Sequence, residues 1–158
     1  MCVDAHDRAL DLRHQLDALT RSLDAAGIPY AVCGALALAI HGHPRATKDI
    51  DVVIDPANLE GAKAIARVHG FTIEALPMTF SASGITVHRL SRVVGQQIVT
   101  LDLLIGDGAL APVWQTRERR DTARGPIWVV SRQGLVTMKL AAGRPQDLAD
   151  LARLEGSA

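Results

Sequence analysis

The stretch Cys33-Gly34-Ala35, followed by Arg45-Ala46-Thr47-Lys48-Asp49-Ile50-Asp51-Val52, decides how this chain reads. A small-residue turn comes shortly before two carboxylates separated by one apolar residue. Residues two apart on a β-strand share a face, so Asp49 and Asp51 project side by side while Ile50, Val52 and Ile54 point into the core. Adjacent carboxylates at the end of a buried strand repel each other at neutral pH, and a divalent cation relieves that repulsion. Hard oxygen ligands suit Mg²⁺ or Mn²⁺. The local chemistry therefore reads as a metal site built to hold a nucleoside triphosphate.

A third acid strengthens the reading. Asp102 is the one charge in the apolar run Val99-Thr100-Leu101-Asp102-Leu103-Leu104-Ile105. On a strand beside 49–54 it completes a cluster of three carboxylates, the number that holds two metal ions, with Asp102 as general base or second-metal ligand. Gly34 and Ala35 supply a turn that lets backbone approach phosphates closely. Arg45 suits a bidentate phosphate contact, and Thr47 stands between it and the acids. Lys139 follows the apolar run Leu135-Val136-Thr137-Met138 and is expected to emerge near the active face of the sheet, where it reads as a phosphate contact or as a snorkelling surface lysine. Arg144, Asp147 and Asp150 follow it, and Asp147 fits the acid-preferring first turn of a helix. His41 and His43 are read as solvent-facing loop residues.

The 158 residues predict a single domain over 1–158, long enough to bury roughly 70% of its unfolded surface. A helix is expected over 4–26, where Leu12, Leu16, Leu19 and Leu23 recur at helical spacing, ahead of a core over about 28–155. Strands are expected over 30–33, 49–54, 71–74, 84–91, 97–105 and 126–130. Helices are expected over about 36–41, 55–68, 109–119 and 131–142, with a last one carrying Leu148, Leu151 and Leu154. This order indicates an α/β (α+β) domain with a mixed sheet flanked by helices.

Seventeen basic and seventeen acidic side chains give a net charge of zero, which argues against a dedicated nucleic-acid coat. Arg117, Arg119, Arg120 and Arg124, with Glu118 and Asp121 interspersed and no aromatic platform, read as a solvated face rather than an RNA-binding one. Cys2 and Cys33 form neither a disulfide framework nor a zinc spacing and are expected to be free thiols in a reducing compartment. No apolar run reaches the roughly 18 residues of a membrane span, and no signal peptide opens the sequence. A cytoplasmic protein is expected.

Taken together, Gly34-Ala35, Asp49-Ile50-Asp51-Val52 and Leu101-Asp102-Leu103 resemble the polymerase-β-like nucleotidyltransferase superfamily. The form Arg45-x-Thr47-x-Asp49-Ile50-Asp51, and the closing Lys139, Arg144 and Asp147-Leu148-Ala149-Asp150-Leu151, look closer to its AbiEii-type branch. That branch contains toxins of bacterial toxin–antitoxin pairs. The resemblance implies a polymerase-β-like fold and transfer of a nucleoside monophosphate from an NTP to a hydroxyl. It implies Asp49, Asp51 and Asp102 as Mg²⁺ or Mn²⁺ ligands and catalytic acids, with Asp102 helping to activate the acceptor. Gly34, Ala35, Arg45, Thr47 and Lys139 become the nucleotide-binding set. The implied acceptor is RNA, such as a tRNA end, or a cognate toxin or antitoxin protein. Ala35 departs from the Gly or Ser expected in the turn, and on that departure rests the alternative of a binding module that keeps the fold without the chemistry.

Overall fold

The computed structural model describes residues 11–156. Helix α1 spans Leu12–Ala25, and the Asp11 carboxylate caps it by accepting from the backbone N–H groups of Arg13 and His14. Residues 4–10 of the expected first helix lie outside the described residues, as does Cys2. Eight strands follow: β1 (Tyr30–Cys33), β2 (Asp49–Ile54), β3 (Ile73–Glu74), β4 (Met78–Thr79), β5 (Thr86–Val94), β6 (Gln97–Ile105), β7 (Glu118–Thr122) and β8 (Gly125–Val129). Between and after them lie α2 (Gly34–Ile40), α3 (Leu59–Val68), α4 (Ala111–Gln115), α5 (Arg132–Ala142) and α6 (Pro145–Glu155).

All eight strands join one sheet in the order β3-β5-β6-β2-β1-β8-β7, with β4 also paired to β5. The β2–β6 and β1–β8 pairs are parallel and the others antiparallel, so the sheet is mixed as expected. Parallel pairing of β2 with β6 aligns Ile50 with Leu101 and Val52 with Leu103. All four are buried in the main core with Leu16, Leu19 and Leu23 of α1. The opposite face of the same strands carries Asp49, Asp51, Thr100 and Asp102, followed by Val53 and Leu104. Among the described residues, no helix is long and apolar enough to cross a membrane.

The helix expected over 109–119 ends at Gln115, and the chain then turns into β7. Glu118, Arg120 and Thr122 pair there with Val129, Ile127 and Gly125 of β8. A charged edge strand lacks the apolar alternation that reveals a strand in sequence, which explains the difference. Aromatic rings do lie beneath this arginine run. The Arg117 guanidinium stacks 3.9 Å from the Trp114 ring centre, and Arg119 lies 5.7 Å from that of Trp128. Arg120 pairs with Glu118, and Arg124 with Asp11 and Asp17. His41 also differs from the expectation: its ring hydrogen-bonds the Val130 carbonyl and ties α2 to the end of β8.

Helices α5 and α6 are joined by a buried ionic network. The Lys139 ammonium lies 2.9 Å from Asp150 and 3.5 Å from Asp147. Arg45, from the loop before β2, donates from Nε and Nη2 to Asp150, and Arg144 donates to Asp147. Asp147 and Asp150 are only 1% and 2% exposed, so each depends on these partners. Asp147 also accepts from the Arg144 backbone N–H, fulfilling the helix-start role expected of it. Replacing Lys139 with Met removes the central cation. It should destabilise the fold by about 3 kcal/mol, read from the urea midpoint.

Burial pushes both carboxyls up. Hydrogen bonds and charge from Arg144 and Lys139 on Asp147, and from Lys139 and Arg45 on Asp150, outweigh it and hold both below the usual carboxylate range. A carboxyl whose pKa is lowered by folding stabilises the protein above its unfolded pKa, and that contribution disappears as pH falls through the folded value. Tm should therefore hold down to about pH 5 and decline below about pH 4. In the double variant Asp147→Asn, Asp150→Asn the decline should be shallower.

Candidate active site

Strand register assembles the site. Across four neighbouring strands, Cys33 of β1 lies opposite Asp51 of β2, Asp51 opposite Asp102 of β6, and Asp102 opposite Arg89 of β5. Facing pairs in a sheet present their side chains on one side. One row therefore carries a thiol, two carboxylates and a guanidinium. Asp49 shares that face two residues earlier, opposite Thr100, whose hydroxyl donates to its carboxylate. Sequence spacing predicts that Asp49, Asp51 and Asp102 meet, and the sheet brings them together.

Their surroundings differ. Arg89 grips Asp102 through two hydrogen bonds, Nε to Oδ1 at 2.8 Å and Nη2 to Oδ2 at 2.9 Å. Asp51 is half-buried and has no hydrogen-bond or ion-pair partner among the described residues. Burial first, then the negative charges of Asp102 and Asp49, raise its pKa to about 7, against the opposing pull of Lys139 and Arg144. Burial likewise pushes the Cys33 thiol well up, with Asp51 adding to it, so Cys33 is an inert neighbour.

Gly34 makes the crowding possible. It adopts φ +66°, a left-handed conformation that glycine takes without penalty. A Cβ placed on it would overlap the Asp51 carboxylate. Ala35, the next residue of α2, is buried at 4% exposure. The Thr47 hydroxyl accepts from the Asp49 backbone N–H at 3.1 Å and so shapes the chain just before β2.

A cavity of about 580 Å³ opens over this row. Gly34, Ala35, Arg45, Thr47, Lys139 and the three acids all line it. The polar heads of Arg45 and Lys139, however, are engaged by Asp150 as described above. Arg89 is the site residue that sequence reasoning missed. Its signal was only its placement on an alternating strand, since the hairpin register that selects Asp102 as its partner is not written locally. Among the described residues, no group of three His, Cys, Asp or Glu side chains is arranged to hold a metal ion as it stands. Asp49 and Asp51 remain as hard oxygen donors without an ion-pair partner among the described residues.

Solved structures with the same architecture include three that align with nearly the whole chain. TM1012 of Thermotoga maritima, itself an inferred nucleotidyltransferase, gives a TM-score of 0.65 at 16% identity over 94% of each chain. The lincosamide antibiotic adenylyltransferase LnuA with bound lincomycin gives 0.60 at 10% identity, over 89% of this chain and 94% of that one. ANT(2")-Ia in complex with adenylyl-2"-tobramycin gives 0.58 at 15% identity, over 88% and 84%. The chain has the nucleotidyltransferase fold. At these identities the likeness concerns fold, and the chemistry must be argued from the residues. No protein-family model matches the sequence, and no curated protein matches it either.

Gly34→Ala tests the packing of the turn. Left-handed strain together with displacement of Asp51 should cost about 2 kcal/mol or more, measured by chemical denaturation.

Proposed function

We propose that this chain is a metal-dependent nucleotidyltransferase that moves a nucleoside monophosphate from an NTP to an acceptor hydroxyl. The observation that carries this reading is Asp51, a half-buried carboxylate with no ion-pair partner among the described residues, beside Asp49 and open to a cavity. An uncompensated charge in such a place costs stability unless a ligand supplies the opposite sign. Asp49 and Asp51 offer the all-oxygen donor set that Mg²⁺ or Mn²⁺ takes, and Gly34 leaves their approach clear. Bound there, a divalent cation would neutralise triphosphate charge and polarise the phosphoryl group.

The chain's own residues supply the rest. Lys139 and Arg144 place positive potential beside the carboxylates, as their effect on Asp51 registers. That potential favours an anionic donor on the α5–α6 side of the cavity, with Gly34, Ala35 and Thr47 forming its floor and rim. The acceptor oxygen then bonds to the α-phosphorus, the bond from that phosphorus to the pyrophosphate oxygen breaks, and the acceptor proton passes to Asp102. A carboxylate has about four lone-pair positions. Arg89 occupies one on each Asp102 oxygen, so each oxygen keeps room for an acceptor hydroxyl.

The resemblance to the AbiEii-type branch would make the chain one half of a toxin–antitoxin pair with RNA or a partner protein as acceptor, a reading that rests on the sequence form alone. Its closing segment, Lys139 to Asp150, also has a purely structural account in the network that joins α5 to α6. One observation favours the alternative of a fold retained for binding alone, namely the grip of Arg89 on Asp102. Transfer of label from α-labelled NTPs separates the two.

In the transferase reading, Mg²⁺ with ATP or another NTP raises the Tm of the natural protein. Asp51→Asn should melt higher than the natural protein without metal, because like-charge crowding is relieved, and lose that ligand response. Asp102→Asn should keep Mg²⁺-dependent NTP binding and lower label transfer about 10²–10⁴-fold. Unaltered NTP affinity in Asp49→Asn, Asp51→Asn by calorimetry would overturn the assignment.

A further inference from the structure

The face of the sheet that carries the acids changes character in steps of two residues. Asp49 and Thr100 form a polar row, and Asp51, Asp102 and Arg89 the charged row next to it. Two residues further along β2 and β6 the row becomes Val53, Leu104 and Val87, and Met78 of β4 extends it beyond β5. Val53 is fully buried and Leu104 half-buried, whereas Met78 and the nearby Phe80 are 43% and 52% exposed. Large apolar side chains so exposed at a cavity wall have the composition of ligand-binding surface.

Charge is segregated across the same cavity. Arg45, Lys48, Lys139 and Arg144 line it from the loop before β2 and from α5–α6, while Arg89, which lines it from β5, is held by Asp102. The segment from Met78 to Val87 contributes no charged residue to the lining. The triphosphate, with its several negative charges, belongs on the cationic side. The apolar side lies past Asp102, the proposed proton acceptor, and so falls to the other reactant.

We propose that the wall formed by Met78, Phe80, Ile85, Val87 and Leu104 is an acceptor subsite for a small, uncharged, partly apolar hydroxyl compound, an assignment that rests on the transferase reading above. A polyanionic acceptor such as RNA would find no free cation on this wall. Among the described residues, a polycationic one would find no acid in the lining beyond Asp49, Asp51 and Asp102, which the reaction uses, and Asp147, which Arg144 and Lys139 hold. An amphipathic alcohol presents its hydroxyl to Asp102 and buries its apolar part against Leu104, Met78 and Phe80.

The chain has three methionines, of which Met78 and Met138 line the cavity, so carbon-13 labelling of the methionine methyls gives a simple spectrum. The probes are benzyl alcohol, tobramycin and a ribohexanucleotide, each titrated into the full-length protein. Benzyl alcohol should move the Met78 and Met138 signals saturably, and the other two should not. Met78→Lys and Phe80→Lys, both at exposed positions, should weaken benzyl alcohol binding about tenfold, read from Met138. Calorimetry should show Mg²⁺–ATP affinity kept in both variants. No movement with benzyl alcohol, or movement of Met78 by the hexanucleotide or tobramycin, overturns the proposal. Loss of Mg²⁺–ATP affinity in Met78→Lys also overturns it, because the wall then holds the donor. Natural protein that binds benzyl alcohol but not Mg²⁺–ATP overturns the transferase reading instead, on a separate readout.

Discussion

Parallel pairing of β2 with β6 is the constraint on which the rest of this molecule depends. It sets Ile50 beside Leu101 and Val52 beside Leu103 on the buried face, and so sets Asp51 beside Asp102 on the other. A one-residue slip would bury the acids and expose the branched apolar chains, a heavy cost in an otherwise apolar core. The hydrophobic face therefore holds two carboxylates closer than their charges favour. The energy that crowds them comes from core packing, not from any bond between the acids and the protein.

That crowding is balanced unevenly. Arg89 neutralises Asp102 from the next strand, while Asp51 is left with only distant cations. The cations that offset its charge, Lys139 and Arg144, belong to the α5–α6 network, where three cations serve two carboxylates. The network has two consequences at once. It satisfies Asp147 and Asp150, which could not otherwise be buried, and its excess positive charge faces the acidic row. A helix pair held only by apolar contacts would close the fold as well, but it would remove the positive potential of Lys139 and Arg144 from beside the acidic row.

Much of this is written locally in the sequence. The apolar runs around Asp51 and Asp102 identify central strands, and the three acids, Gly34 and the capping role of Asp147 follow from spacing and residue type. What is not written locally is partner choice. Arg45 and Asp150 are 105 positions apart, and nothing near either residue announces their pairing. Lys139 reads as a phosphate contact or a snorkelling surface lysine, and neither reading shows that the turn at Gly143 and Arg144 folds α6 back over it to bury it against Asp147 and Asp150. Arg89 meets Asp102 only through the register of the β5–β6 hairpin. Strand β7 is hidden for a different reason: its Glu-Arg-Arg-Asp composition suits a solvated helix, and only pairing with β8 makes it a strand.

Antibiotic adenylyltransferases share this fold at identities too low to carry substrate with them. What can vary without disturbing the fold is visible in the sheet itself. The charged row and the apolar row lie one pleat apart on the same strands, yet their demands are separate. The charged row needs fixed geometry, which the buried face of β2 and β6 enforces. The apolar row ends at Met78 on a two-residue strand at the margin of the sheet, partly exposed and answerable to few neighbours. In the proposed transferase, a site built this way would keep phosphoryl chemistry on its most constrained strands and leave acceptor choice to its least constrained ones. Changes in β4 and the segment after it would then alter what is modified while leaving the carboxylates where the core holds them.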